Sequence, residues 1–154
     1  MTHHPFTRNL TRPVRHLVRL ATGATLSALL LSSCQSAEET RRQQYITEGV
    51  QLYRTYCANC HQVDGKGLES LYPPIANSDY LVNKDSVICL IRHGQQGPIV
   101  VNGKTYNRVM PGQPQLSDLD IAEIVTYIYN EWGGETTITD VSAVRPVLEA
   151  CRKR

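Results

Sequence analysis

Methionine is almost missing from this chain of 154 residues: apart from Met1 there is only Met110, so any task that needs a thioether falls to one position. Long apolar runs are missing as well. The main one, Leu20 to Leu31, stops well short of the ~20 residues that a bilayer-spanning helix requires, which argues against a permanent membrane span. No second cysteine pair stands near Cys57 and Cys60 to complete a zinc site, and no βαβ pattern surrounds them of the kind a thioredoxin-like redox pair needs. Internal repeats and low-complexity tracts are also lacking, so one small domain with a single core is expected at this length. Acidic residues are absent before Cys34. All 14 Asp and Glu lie beyond it, against 12 of the 16 Lys and Arg, so the formal charge of +2 for the whole chain becomes −2 (12 − 14) beyond Cys34. A mildly acidic domain without a basic stripe offers no electrostatic footprint for nucleic acid, which removes that class of partner.

What the N-terminus does contain is the layout of an export signal: Arg8, Arg12, Arg15 and Arg19, then the apolar run, then Leu31-Ser32-Ser33-Cys34. That ending resembles a bacterial lipobox, with cleavage before Cys34 and lipidation of its thiol. The alternative is an ordinary small-residue cleavage site beside a chance cysteine. Several acyl chains on one cysteine hold a protein stably, since each buried methylene contributes about 0.8 kcal/mol and one chain alone is marginal. Residues 1–33 are therefore expected to be a lipoprotein signal peptide and residues 34–42 a solvated polar tether. The domain itself is expected over 43–133, and residues 134–154, with weak periodicity, form a C-terminal surface strap. The expected location is the periplasmic side of a bacterial membrane. Gln35, rather than an aspartate, follows Cys34, and this favours the outer membrane by resemblance to lipoprotein sorting in Gram-negative bacteria.

The chemistry is concentrated in Cys57-Ala58-Asn59-Cys60-His61. Cys-x-x-Cys-His is the attachment motif for a c-type haem, because two cysteines at this spacing reach the vinyl groups on one porphyrin edge while the adjacent histidine meets the iron. One axial position is left to fill, and Met and His are the usual donors. Met110, in a loop with Pro111 and Gly112, is the expected sixth ligand; its alternative role is that of a core gap-filler. His93 is the competing donor.

Around the motif the chain alternates helix and loop signals. Ile46, Gly49, Val50, Tyr53 and Cys57 form an apolar stripe at helical spacing that leads into the motif. Asp64-Gly65-Lys66-Gly67 and Tyr72-Pro73-Pro74-Ile75 read as a loop. A short helix is predicted from Asp85 to His93, capped near Asn83 or Lys84 and stopped by Gly94. Asn102-Gly103 between Ile99-Val100-Val101 and Lys104-Thr105-Tyr106 predicts a hairpin with a type I′ turn. The last helix is predicted from Ser117 to about Trp132, opened by a capping-box-like pair of Ser117 and Asp120.

The stretch from about Tyr45 to Trp132 resembles a class I cytochrome c domain. Its segments GKG, YPPIANSDYL, GPIVVNGKTYNRVMPG and LSDLDIAEIVTYI are closer still to the small bacterial cytochromes found alone or fused to copper nitrite reductases and oxidases. The resemblance implies an all-α fold, with three main helices around one covalently attached haem c and a short β-hairpin before the Met loop. It also implies that the first and last helices cross at Gly49, against Tyr127, and that a proline carbonyl accepts the Nδ1–H of His61, with Pro73 the better match and Pro74 the second. Ile75 and its apolar neighbours would bury the ring.

With both axial positions filled there is no site for a small-molecule substrate, so an electron carrier between redox proteins is expected rather than an enzyme. Two alternatives stay open: a permanent electron-transfer subunit of a larger dehydrogenase or reductase, and a sensor that exchanges its ligand at Met110. Two cysteines remain, Cys89 and Cys151. An exported chain meets an oxidising compartment, and the haem fold needs neither residue, so a Cys89–Cys151 disulfide is expected to staple the strap. A buried free Cys89 with a mobile Cys151 is the alternative.

Overall fold

Local capping decides where the helices begin. The computed structural model describes residues 36–151; the signal segment, Cys34, Gln35 and residues 152–154 lie outside the described residues. The order is α1 (Ala37–Tyr56), α2 (Ala58–His61), a 3-10 turn (Asp79–Val82), α3 (Lys84–His93), β1 (Gly94–Gln95), β2 (Ile99–Val101), β3 (Lys104–Tyr106), β4 (Met110–Pro111), α4 (Asp118–Glu131) and α5 (Val141–Cys151). The Asn83 side chain accepts from the Ser86 amide at 3.0 Å and opens α3. At α4 the capping box is complete: the Asp120 amide donates to Ser117 Oγ (3.1 Å), and the Ser117 amide donates to Asp120 Oδ2 (2.7 Å). Each bond satisfies a donor that the first helical turn leaves without an intrahelical partner.

Tyr45, Gly49 and Tyr53 form the buried stripe of α1. A Cβ at Gly49 would collide with the Glu123 carbonyl and stand 2.8 Å from the Tyr127 Cβ, so the glycine is what lets α1 and α4 touch backbone to backbone. Beside this crossing Tyr53, Tyr127 and Trp132 meet pairwise with ring centroids 5.3–5.4 Å apart, in edge-on and tilted arrangements that suit aromatic quadrupoles. The rest of the core comes from the inner faces of α3, α4 and α5, including Ile88, Ile121, Ile124, Val125 and Ile128.

The hairpin pairs Ile99 with Tyr106 and Val101 with Lys104 across a two-residue turn. Asn102 and Gly103 both have positive φ, 51° and 76°, as a type I′ turn demands. A second ladder, Gly94 with Pro111 and Gln95 with Met110, was not expected. Strands of two residues carry no periodicity to read. No described helix is long and apolar enough to cross a membrane.

Two expected boundaries are corrected. The tether 34–42 overlaps the first turns of α1: Glu38 and Glu39 sit at the helix start, where they favour the helix dipole. Arg42 pairs with Glu39 at 2.8 Å and donates to Asn130 Oδ1 at 2.9 Å. Arg41 pairs with Asp140. Cross-chain contacts thus order a segment whose composition alone suits solvent. The strap 134–154 is likewise more than a surface segment, because it contains α5, with Val144 (0% exposed) and Leu148 (7%) in the core. Asp140 opens this helix by accepting from the Ser142 amide at 2.8 Å. Its carboxyl is held down at about 2 by the Ser142 hydroxyl and amide and by Arg41. The apolar positions Val141, Val144 and Val147–Leu148 are at helical spacing, but Pro146 inside the helix obscured them. A disulfide joins Cys89 of α3 to Cys151 of α5, with Cα atoms 5.8 Å apart.

Candidate functional site

The break between α1 and α2 falls on Cys57, so the first cysteine ends one helix and Cys60 and His61 ride on the next. Tyr53, 1% exposed, fixes this corner by donating its hydroxyl to the Gln62 carbonyl at 2.8 Å. From His61 the chain turns back on itself. The Gly67 amide donates to the His61 carbonyl (2.9 Å), and the Ile75 and Ala76 amides donate to the Gly65 carbonyl (2.7 and 2.9 Å). Gly67 has φ +70°, and a Cβ there would run into the Tyr72 and Pro73 carbonyls, so no other residue closes this loop so tightly.

The closed loop sets the Pro73 carbonyl 2.9 Å from His61 Nδ1. A carbonyl only accepts, so Nδ1 carries the proton and Nε2 keeps a free lone pair. Burial pushes the His61 pKa down, against a smaller opposing effect of the bond to Pro73, and this favours the neutral ring that a ligand must be. Between the two prolines, the carbonyl used is that of Pro73.

Cys57, Cys60, His61, Pro73, Ile75 and Met110 all line one cavity, whose space counted out to its open mouth is about 1160 Å³. Cys57 and Cys60 are free thiols rather than a redox disulfide. Burial in the apolar wall, with Cys60 adding to it, pushes the Cys57 thiol up to about 12. The opposite wall comes from Leu81, Val87, Ile91, Val101 and Tyr106. Among the described residues no carboxylate lines the cavity, and Arg108 is its one Lys or Arg. At the mouth Val109 is 60% exposed and Tyr56 37%. His93 does not line this cavity. It borders a separate groove between α3 and α5, with Asp85 and Cys89.

Sequence reasoning missed Gln95 and Arg108 in the wall and the pairing of Gln95 with Met110 that presents the methionine. Arg108 stands two residues before Met110, and that proximity was the one available signal. Cys34 lies outside the described residues, so its proposed lipidation has no structural counterpart here.

The family described as cytochrome c matches residues 46–132. Cytochrome c-552 of Thermus thermophilus is 35% identical over 91 residues, which cover 56% of this chain and 69% of that protein. The cytochrome c subunit of the quinone alcohol dehydrogenase of Gluconacetobacter polyoxogenes is 35% identical over 104 residues, 63% of this chain but only 22% of that subunit. The fructose dehydrogenase cytochrome subunit of Gluconobacter japonicus is 32% identical over 113 residues, with 66% and 22% covered. The matched region contains every residue that lines the cavity, and it serves electron carriage rather than catalysis. The chain belongs to the cytochrome c family, and its cofactor is a single, covalently attached haem c.

Proposed function

We propose that this chain is an exported, lipid-anchored monohaem cytochrome c that carries single electrons between redox protein partners on the periplasmic side of a bacterial membrane. The observation that carries the reading is the convergence of Cys57, Cys60, His61 and Met110 on one apolar cavity. These residues fit the group: two free thiols at attachment spacing, a neutral imidazole with Nε2 available, and one thioether. Haem c supplies reversible one-electron chemistry at its iron when bound.

The chain's part is to bind and to tune. Cys57 and Cys60 would hold the haem as thioethers, and His61 Nε2 and Met110 Sδ would hold its iron. The Pro73 carbonyl orients the imidazole and makes Nε2 the stronger donor. A wall with no carboxylate, Ile75 included, disfavours the added positive charge of oxidised iron, and a thioether ligand acts in the same direction. A positive reduction potential follows. Arg108, the one Lys or Arg in the lining, would supply a cation for a carboxylate of the ring. His93, which borders the other groove, is not needed as a ligand.

Exposed Tyr56 and Val109 at the mouth suit a small, short-lived contact of the kind redox partners make. Donor or acceptor would be a respiratory oxidase or reductase, a copper nitrite reductase included, or a dehydrogenase. Export and anchoring rest on the Arg-rich start, the short apolar run and the Leu31-Ser32-Ser33-Cys34 ending, and Gln35 favours the outer membrane. A second reading, a permanent subunit of a larger dehydrogenase, is favoured by relatives that carry that description. A catalytic chain that co-purifies from native membranes in fixed proportion separates it from the free carrier.

The test of the site is Met110→Ala in the haem-loaded protein. The haem should stay attached, the far-red band of methionine on ferric iron should vanish, and carbon monoxide should bind the reduced protein freely. Unchanged spectra would rule Met110 out as the ligand.

A further inference from the structure

The segment that carries Met110 is held by the end of α3 more firmly than a loop needs to be. Its first two residues, Met110 and Pro111, pair with Gln95 and Gly94. The Gln113 amide donates to the Ile91 carbonyl at 2.9 Å. Gly112 lies so close that a Cβ would stand 2.7 Å from the Arg92 carbonyl and 2.6 Å from the His93 carbonyl carbon. Beyond these backbone contacts the chain runs on to α4 with the Arg92 side chain bracing it at three points. Arg92 Nη1 donates to the Pro114 carbonyl (3.1 Å) and the Leu116 carbonyl (2.7 Å), and Nη2 to Asp118 Oδ1 (3.0 Å). Its side chain is only 19% exposed.

Three acceptors spread over five residues are met by the two terminal nitrogens of one rigid planar fork, a geometry that the compact ammonium of a lysine does not reproduce. Asp118 is the first residue of α4, so the fork joins the end of α3, the segment after Met110 and the start of α4 in one block. Asp118 has one further partner, Arg145 of α5, at 3.4 Å.

We propose that Arg92 is a positioning residue for the axial methionine: by clamping residues 114–118 it keeps β4 seated on β1 and so lowers the rate at which Met110 leaves the iron. The inference rests on the reading of Met110 as the sixth ligand. Arg92 itself does not line the cavity. Its effect passes through the backbone: Met110 and Pro111 are seated on β1, Gln113 on the Ile91 carbonyl, and Arg92 holds the segment that follows.

The experiment uses the haem-loaded, full-length chain and measures the rate of carbon monoxide binding to the reduced protein, which departure of Met110 limits. Met110→Ala sets the upper limit. Arg92→Gln should accelerate entry by about tenfold, the scale of one lost net hydrogen bond, while the resting spectrum stays that of methionine ligation. Arg92→Lys should restore part of the difference. Asp118→Asn, which keeps both carbonyl bonds, provides a milder variant should Arg92→Gln fail to fold, and it should accelerate entry by less. Backbone hydrogen exchange at Gln95 and Gln113 should quicken in the same order. A lowered melting temperature with unchanged entry rates in Arg92→Gln and Asp118→Asn would show a merely structural role and overturn the inference alone. Entry into the wild-type protein as fast as into Met110→Ala would overturn the ligand reading and this inference with it.

Discussion

Replacing Cys89 and Cys151 together by serine removes the only covalent bond between α3 and α5 among the described residues, and the structure lets its effect be sized. The bond spans a sequence separation of 62 residues. On the chain-entropy account, closing a loop of that length lowers the entropy of the unfolded chain enough to contribute about 4 kcal/mol at 25 °C. The folded state should keep its shape, because α5 has anchors of its own: Val144 and Leu148 in the core, the Asp140 cap, and the Arg41–Asp140 pair. The loss should therefore fall on the unfolded ensemble rather than on native contacts. For a domain of this size 4 kcal/mol corresponds to roughly 15 °C in melting temperature. Urea unfolding of the haem-loaded protein, followed by far-UV circular dichroism and by the haem absorption, should show a lower midpoint and a steeper dependence on urea, because an uncrosslinked chain exposes more surface. The visible spectrum at 25 °C should not change, and wild type held in a dithiol reductant should behave as the double variant does. A double variant within 1 kcal/mol of wild type would refute the reasoning. So would recovery of both cysteines as alkylated thiols from the non-reduced protein.

Two further expectations concern Cys34 and Glu123. Cys34→Ser should release the protein from membranes with its haem spectrum unchanged, as read by fractionation; persistent membrane association would mean a different anchor. Glu123, beside the α1–α4 crossing, has its pKa raised from 4.5 to about 7 by burial and then by the Asp120 and Glu48 charges. Between those values the folded chain holds a proton that the unfolded chain has released, so stability should fall as pH rises from about 4.5 to about 7. Glu123→Gln should remove that part of the slope in urea midpoints measured across the range, and parallel pH profiles for the two proteins would count against it.

The features that could be read from the sequence are those whose causes lie within a few residues. Asn83 caps α3, Ser117 and Asp120 cap α4, and Asn102-Gly103 turns the hairpin, each through a bond to a near neighbour. The crossing at Gly49 came from the resemblance, since a glycine inside an apolar helical stripe can equally be one that the helix tolerates. The misjudged parts depend on partners far along the chain. Composition makes Ala37 to Arg42 look like a tether; beside the local Glu39–Arg42 pair, its partners are Asn130 and Asp140, about ninety and a hundred residues away. The β1–β4 ladder is two residues long on each side, too short for any pattern. The Arg92 fork depends on two backbone carbonyls, which have no sequence identity at all.

The position of α3 explains why the region beyond the family match bears on the cavity. The matched region ends at residue 132, and α5 begins at Val141. α5 packs on both α3 and α4. α3 is thereby a shared wall: Val87 and Ile91 line the cavity, while Cys89 on the same helix borders the groove against α5 and takes the disulfide. Its last turn also carries Arg92 and the Ile91 carbonyl that seat the Met110 segment. Interiors packed at crystal-like density transmit displacement rather than absorbing it. A helix packed on its outer side against α5 therefore backs both the inner wall and the methionine strand. That packing gives the added C-terminal helix a role in a domain whose cavity lining does not include it.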